Sequence, residues 1–300
     1  MINQIANYGD LELNEPLSKH TTYRIGGNAA YFVYPRNEIG LMRIVEICKE
    51  QNTDYKVFGK GSNILASDDD YNGVIICLDR YFTDVNFESD GTCTAQAGVS
   101  LILLAIEAMK HSFTGLEFAS GIPATLGGAL YMNAGAYKSD MASIVKRVYV
   151  LKDNECIWID VEDLNYSYRT SIFQTNHDWI ILGAELKLTK GNQKDIKELM
   201  DARRVRRLQA QPLDKPCAGS VFRNPEIAPA WKLIEDSGLR GMQIGGALVS
   251  NKHANFVVND NQASAKDVDQ LIKLIQKTVD YKYHIKLKAE VEKFNWKKEE

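Results

Sequence analysis

Between residues 115 and 135 the chain carries glycine at 115, 121, 127, 128 and 135, among mostly small neighbours. Such a run has little apolar surface of its own and leaves main-chain N–H groups approachable, so it must bend against something else. Gly121, Ile122, Ala124, Thr125, Gly127, Gly128, Asn133 and Gly135 would let a large planar or phosphorylated ligand lie against backbone donors. Tight helix packing reads the same residues differently. A second loop, Gly59-Lys60-Gly61-Ser62-Asn63, follows a short apolar run suited to a strand. Its glycines allow a sharp turn that presents N–H groups and the Ser62 and Asn63 side chains to phosphate oxygens, or a plain strand-end turn. Ile64 stands where G-x-G-x-x-G needs its third glycine, and no Lys-Ser/Thr pair follows, so neither a Rossmann fingerprint nor a P-loop is present. Two such loops far apart in sequence point to one extended cofactor gripped at both.

The remaining composition narrows the class. With 300 residues, 45% hydrophobic and 25% charged, disorder and collagen are excluded, and several cores are expected. A net charge of −3 argues against a dedicated nucleic-acid binder and for a small-molecule partner. Five scattered cysteines without a C-x-x-C pair read as free thiols of a reducing compartment. The five histidines lack metal-ligand spacing, so no metal is expected. With no signal-like N-terminus and no apolar run of membrane length, a cytoplasmic protein without membrane insertion is expected. No obligate protein partner is inferred.

Periodicity predicts helices over residues 39–50, 100–111, 194–211, 229–237 and 265–281, and strands at 56–58, 74–78, 145–151, 157–161 and 179–188, near 247 and 256, and over 285–294. Pro212 and Pro216 end the basic helix of residues 194–211, which carries Arg203, Arg204, Arg206 and Arg207. A charge run of that kind is most simply a solvated face. Three parts are drawn: residues 1–80, 81–190 and 191–300. The tail 297–300 is expected to be unstructured.

Isolated motifs decide little. Arg169, in Tyr166-Ser167-Tyr168-Arg169, could grip a carboxylate or be an exposed residue between strands. Ser220 lacks the second glycine of a hydrolase elbow, since Phe222 stands there. Glu290 falls in the expected terminal strand, where carboxylates are usually solvated.

In order along the chain, however, His20-Thr21-Thr22-Tyr23-Arg24-Ile25-Gly26-Gly27 and residues 59–65, 115–118, 121–137, 168–169, 219–225 and 245–259 form seven blocks. Together they resemble the UDP-N-acetylenolpyruvoylglucosamine reductases, the UDP-N-acetylmuramate dehydrogenases of peptidoglycan precursor synthesis. The resemblance covers almost the whole chain. It implies an α+β protein: an FAD-binding fold of the vanillyl-alcohol-oxidase/p-cresol methylhydroxylase type, built from two α+β subdomains, plus a C-terminal α+β substrate domain. It further implies non-covalent FAD held by the two glycine loops, with Arg24 and Gly26 helping to line the site. NADPH would be the hydride donor and UDP-N-acetylglucosamine enolpyruvate the substrate, with Tyr137, Tyr168 and Asn224 in contact with it.

By the same resemblance, Arg169, Ser220 and Glu290 are the catalytic residues. Hydride arriving at the enolpyruvyl methylene carbon drives negative charge into the adjoining carboxylate, which a guanidinium would stabilise. Protonated Glu290 would hydrogen-bond to that charge, and Ser220 would protonate the neighbouring carbon. Four positions depart from the family pattern: Ala124 and Lys138 stand where glycine is usual, and Ala289 and Glu292 where proline and arginine are usual. The short span between Arg169 and the basic helix leaves no room for a tyrosine-bearing lid, as in the shorter, type II enzymes. The competing readings are an FAD-dependent oxidase of small alcohols or sugars and a non-catalytic nucleotide-sugar binder. His253 belongs to a family block without a role assigned to it.

Overall fold

The computed structural model describes residues 1–297; residues 298–300, most of the expected tail, lie outside the described residues. The chain divides into two compact units, one of Met1–Leu13, Tyr31–Lys60 and Gly73–Arg206, the other of Asn14–Ala30, Gly61–Asn72 and Arg207–Glu300. Helices and sheets mix in both, as an α+β chain requires.

In the first unit an antiparallel sheet runs in the order Glu155–Asp160, Val145–Lys152, Ile180–Lys187, Thr92–Gln96, Val85–Phe87. Its central strand Ile180–Lys187 is buried at every position but the last, because both faces are covered. Ala184 sits opposite Val148 on one side and Ala95 on the other, small enough for helix Leu126–Tyr131 to pack close. That helix is the element the glycines obscured. Thr125 caps it by accepting from Gly128 N at 3.3 Å, which offsets the poor helix propensity of Gly127 and Gly128. Helix Glu38–Glu50 starts at Asn37, whose side chain accepts from Gly40 N at 2.8 Å, and buries Leu41, Ile44, Val45, Ile47 and Cys48. Tyr55–Phe58 pairs in parallel with Tyr71–Cys77, Tyr55 opposite Val74.

The second unit is built on helix Ala265–Tyr283. A full capping box opens it, Ser264 Oγ accepting from Asp267 N and Asp267 Oδ2 accepting from Ser264 N. Its apolar stripe, Val268, Leu271, Ile272, Ile275 and Val279, packs on the sheet Gln243–Ile244, Ala247–Val249, Val257–Asn259. The five expected helices appear within two residues of their expected ends.

The terminal strand differs. Only Glu292–Phe294 is strand, paired in parallel with Ile64–Ala66. Residues 287–291 instead meet residues 221–223 through the single bridge Phe222 to Ala289. Gly219 at φ +74° and Pro225 bound the partner segment, leaving no length for a regular ladder.

Candidate functional site

The glycine segments of the first unit meet. A Cβ added to Gly59 would lie 2.4 Å from Thr125 Oγ1, so only glycine lets the end of the 55–58 strand approach the cap of the 126–131 helix. A Cβ on Gly128 would find nothing nearer than Thr125 Oγ1 at 3.5 Å, so that stretch of main chain is open to a ligand. Gly127 N donates to Ala97 O at 2.8 Å, and Ala124 is buried with its N–H on Ile122 O. Gly121 and Ile122 are half-buried. Lys60 is exposed, its ammonium 3.3 Å from Asp79 Oδ2.

In the second unit Gly61 takes φ +57°, and a Cβ there would sit 2.1 Å from His20 O. Its carbonyl accepts from Thr22 N at 3.3 Å. The Thr22 hydroxyl, absent from the sequence-based set, is buried without a hydrogen bond to protein. Gly26 packs against Ala66 and Leu17, Arg24 is exposed, and Ser62 is half-buried. Asn63 Nδ2 donates to Glu290 O at 3.0 Å, while Glu292 N donates to Asn63 O at 2.8 Å.

Arg169 sits in a tight turn: Ser167 and Thr170 exchange both backbone hydrogen bonds at 3.1 Å, and Arg169 takes φ +56°. Its Nη2 donates to Gly135 O at 2.8 Å. Asn133 is 1% exposed; its Nδ2 donates to Ser167 O and Asp140 Oδ2, and its Oδ1 accepts from Ala142 N. The Tyr168 ring is exposed, with the Arg169 guanidinium 5.1 Å from its centroid. Tyr137 occupies a hairpin turn with Lys138, both at positive φ, and its hydroxyl donates to Arg203 O at 3.1 Å.

The segments that carry Ser220 and Glu290 adjoin. Glu290 N donates to Val221 O at 2.7 Å, and Arg223 N to Lys288 O at 3.0 Å, so Ser220 and Glu290 are one step apart across the pairing. Asn255, another residue outside the sequence-based set, braces the serine side: its Oδ1 accepts from Phe222 N and its Nδ2 donates to Phe222 O. Asn224 Oδ1 accepts from Ala230 N at 3.0 Å, fixing the start of helix Ala230–Asp236. His253 Nδ1 accepts from Asn255 N, and burial, then the nearby Arg240, lowers its pKa below the ordinary value.

Residues 211–294 match the domain described as "UDP-N-acetylenolpyruvoylglucosamine reductase, C-terminal domain", and residues 29–159 the domain described as "FAD binding domain". A UDP-N-acetylenolpyruvoylglucosamine reductase of Anoxybacillus flavithermus is 43% identical over 96% of this chain and 95% of its own. The chain belongs to the UDP-N-acetylenolpyruvoylglucosamine reductase family. A Bacillus subtilis reductase is 41% identical over 95% of this chain and 94% of its own. The crystal structure of the Thermus caldophilus reductase superposes with a TM-score of 0.81 at 32% identity, covering 95% of this chain and 98% of that one. A Physcomitrella patens protein, BBE-like 1, shares the fold alone, at 12% identity and a TM-score of 0.50 over 63% of this chain and 44% of its own. As a member of this reductase family, the chain is an FAD-dependent oxidoreductase.

The residues present suit FAD. In the first unit the open space beside Gly128 and the close approach at Gly59 give the clearance a flat ring requires, and in the second unit the buried Thr22 hydroxyl, without a hydrogen bond to protein, offers a donor to a phosphate oxygen.

Proposed function

We propose that this chain performs its family's reaction through Arg169, Ser220 and Glu290, converting UDP-N-acetylglucosamine enolpyruvate to UDP-N-acetylmuramate at the expense of NADPH. The setting is the cytoplasm and the pathway peptidoglycan precursor synthesis; among the described residues no helix is long and apolar enough to cross a membrane. Bound without a covalent link, FAD would supply the hydride-transfer chemistry between NADPH and the enolpyruvyl methylene carbon.

The protein's part is to hold the cofactor and manage charge and protons. Gly59, Lys60, Gly61, Ser62 and Asn63, with Gly121, Ile122, Ala124, Thr125, Gly127, Gly128 and Gly135, bind FAD through main-chain donors and clearance, and Arg24 and Gly26 assist. In this assignment residues 1–80 and 81–190 serve the cofactor and 191–300 the substrate. The Arg169 guanidinium meets the charge that builds on the substrate carboxylate. Ser220 Oγ–H delivers a proton to the carbon beside it, and Glu290 supplies a hydrogen bond to the same carboxylate. Tyr137, Tyr168 and Asn224 orient the sugar nucleotide.

The pairing that brings Ser220 and Glu290 to neighbouring positions carries this reading, because residues 70 positions apart have no local reason to meet. The purified protein should show a flavin absorbance spectrum, and it should turn over NADPH catalytically only when the enolpyruvyl nucleotide is supplied. Oxygen consumption on simple alcohols or sugars without NADPH turnover would instead identify an oxidase.

A further inference from the structure

Arg169 occupies a conformation that disfavours it. Positive φ in the second half of a two-residue turn suits glycine; for a bulky residue it is strained and persists only where surrounding groups over-determine it. Those groups can be named. Gln174 Nε2 donates to Arg169 O at 3.1 Å and to Tyr131 O at 3.2 Å. Ser171 Oγ donates to the same Tyr131 carbonyl at 2.6 Å. From the other side, the buried Asn133 amide donates to Ser167 O at 3.0 Å and is itself fixed by Asp140 and Ala142. The turn is thus clamped at both shoulders onto the end of helix Leu126–Tyr131 and the segment that follows, whose Gly135 carbonyl receives the guanidinium.

We propose that Asn133 and Gln174 are positioning residues for Arg169. They hold the turn of residues 167–170 so that the guanidinium is ready when negative charge develops on the substrate, which removes a reorganisation cost from the oxidative half-reaction. Asn133, expected from its place in a glycine-rich stretch to touch the cofactor, makes three side-chain hydrogen bonds to protein, and these are what brace the turn. The inference rests on the reading of Arg169 given above.

The test uses the FAD-loaded protein and two variants, Asn133→Asp, which keeps a residue tolerant of positive φ but removes both donors, and Gln174→Leu. Either suffices should the other fail to fold. Stopped-flow absorbance should show flavin reduction by NADPH unchanged, and reoxidation by the enolpyruvyl nucleotide slowed about a hundredfold, the scale of an ångström-level misplacement. FAD affinity, read by fluorescence titration, should stay at the parent value. In an Arg169→Ala background neither variant should slow reoxidation further, since both act through that residue. Amide exchange at residues 167–170 should accelerate in both variants.

Parent-like exchange, slowing that persists without Arg169, or a loss of FAD affinity that accounts for the slowing would each overturn the inference. Should Arg169→Ala itself leave reoxidation unchanged, the reading of Arg169 falls and the positioning role falls with it. The exchange data then report separately whether the clamp exists.

Discussion

The Asn63 side-chain amide donates to the Glu290 carbonyl at 3.0 Å, so a loop expected to face the cofactor is also what anchors the residue expected to face the substrate. The bond lies between protein groups and does not depend on a ligand. Asn63→Asp would set a carboxylate oxygen against that carbonyl, and losing one such bond with the acceptor left unsatisfied costs about 1–3 kcal/mol. Urea unfolding of the FAD-free protein should show a destabilisation of that size.

Ser220 follows Gly219, whose φ of +74° asks for glycine although a Cβ there would meet nothing within 4 Å. If its hydroxyl supplies the proton, Ser220→Ala should leave flavin reduction by NADPH intact and slow reoxidation by the enolpyruvyl nucleotide roughly 10²- to 10⁴-fold, the range of general-acid contributions. Rapid-mixing absorbance separates the two half-reactions, and full turnover in the variant would remove Ser220 as proton donor.

Gly59→Ala places a methyl 2.4 Å from Thr125 Oγ1 and must displace the cap of helix Leu126–Tyr131. Thermal unfolding should show destabilisation of about 1–3 kcal/mol, as overpacking does. Thr125→Ala removes the colliding oxygen at the expense of about 1 kcal/mol of capping. The double variant should therefore be less destabilised than the sum of the singles, a coupling expected only of residues in contact.

Lys138 and Tyr137 form the two central positions of the hairpin between Gly135–Ala136 and Ser139–Asp140, at φ +64° and +56°. Two-residue hairpins with both central residues at positive φ favour glycine second. Lys138→Gly should stabilise the protein by up to about 1 kcal/mol, relief of left-handed strain outweighing the added freedom of the unfolded chain. Chemical denaturation would check it, and a loss of stability would show that the lysine side chain contributes more than the strain it brings.

His253 contributes a pH dependence of definite sign. Burial first, then the positive Arg240, lowers its folded pKa below the ordinary 6.5, and Glu235 opposes them more weakly. Its Nδ1 accepts from Asn255 N, which the neutral ring alone allows. The unfolded state therefore binds the proton more readily, so this residue's contribution is full above pH 6.5 and is lost as pH falls below it. Between pH 7.5 and 5 the parent should lose more stability than His253→Gln, measured by unfolding at each pH.

Much of the fold was legible because helices such as Ala265–Tyr283 announce themselves by apolar spacing and a Ser264 to Asp267 cap. Helix Leu126–Tyr131 was not, since Gly127 and Gly128 mask a segment whose stability comes from Thr125 and from packing on the central sheet. The strand carrying Glu290 was drawn too long because periodicity sees apolar alternation but not the irregular partner that Gly219 and Pro225 impose. The glycine loops could be read from composition, because clearance is written in the absence of side chains. The supports around them could not: Asn255 on Phe222, Gln174 on Arg169 and the buried Thr22 hydroxyl depend on contacts between distant segments, for which local pattern carries no signal.

The parallel pairing of Glu292–Phe294 with Ile64–Ala66 has a consequence for biogenesis. Asn63 and Glu290 are 227 positions apart, so on the ribosome the earlier loop is made long before its neighbour exists. A nascent chain can complete its sheets and helices one by one, yet this part of the second unit closes only once residues 292–294 have been made. A premature stop before residue 292 would leave the edge of Ile64–Ala66 uncovered, and quality-control proteases would meet it.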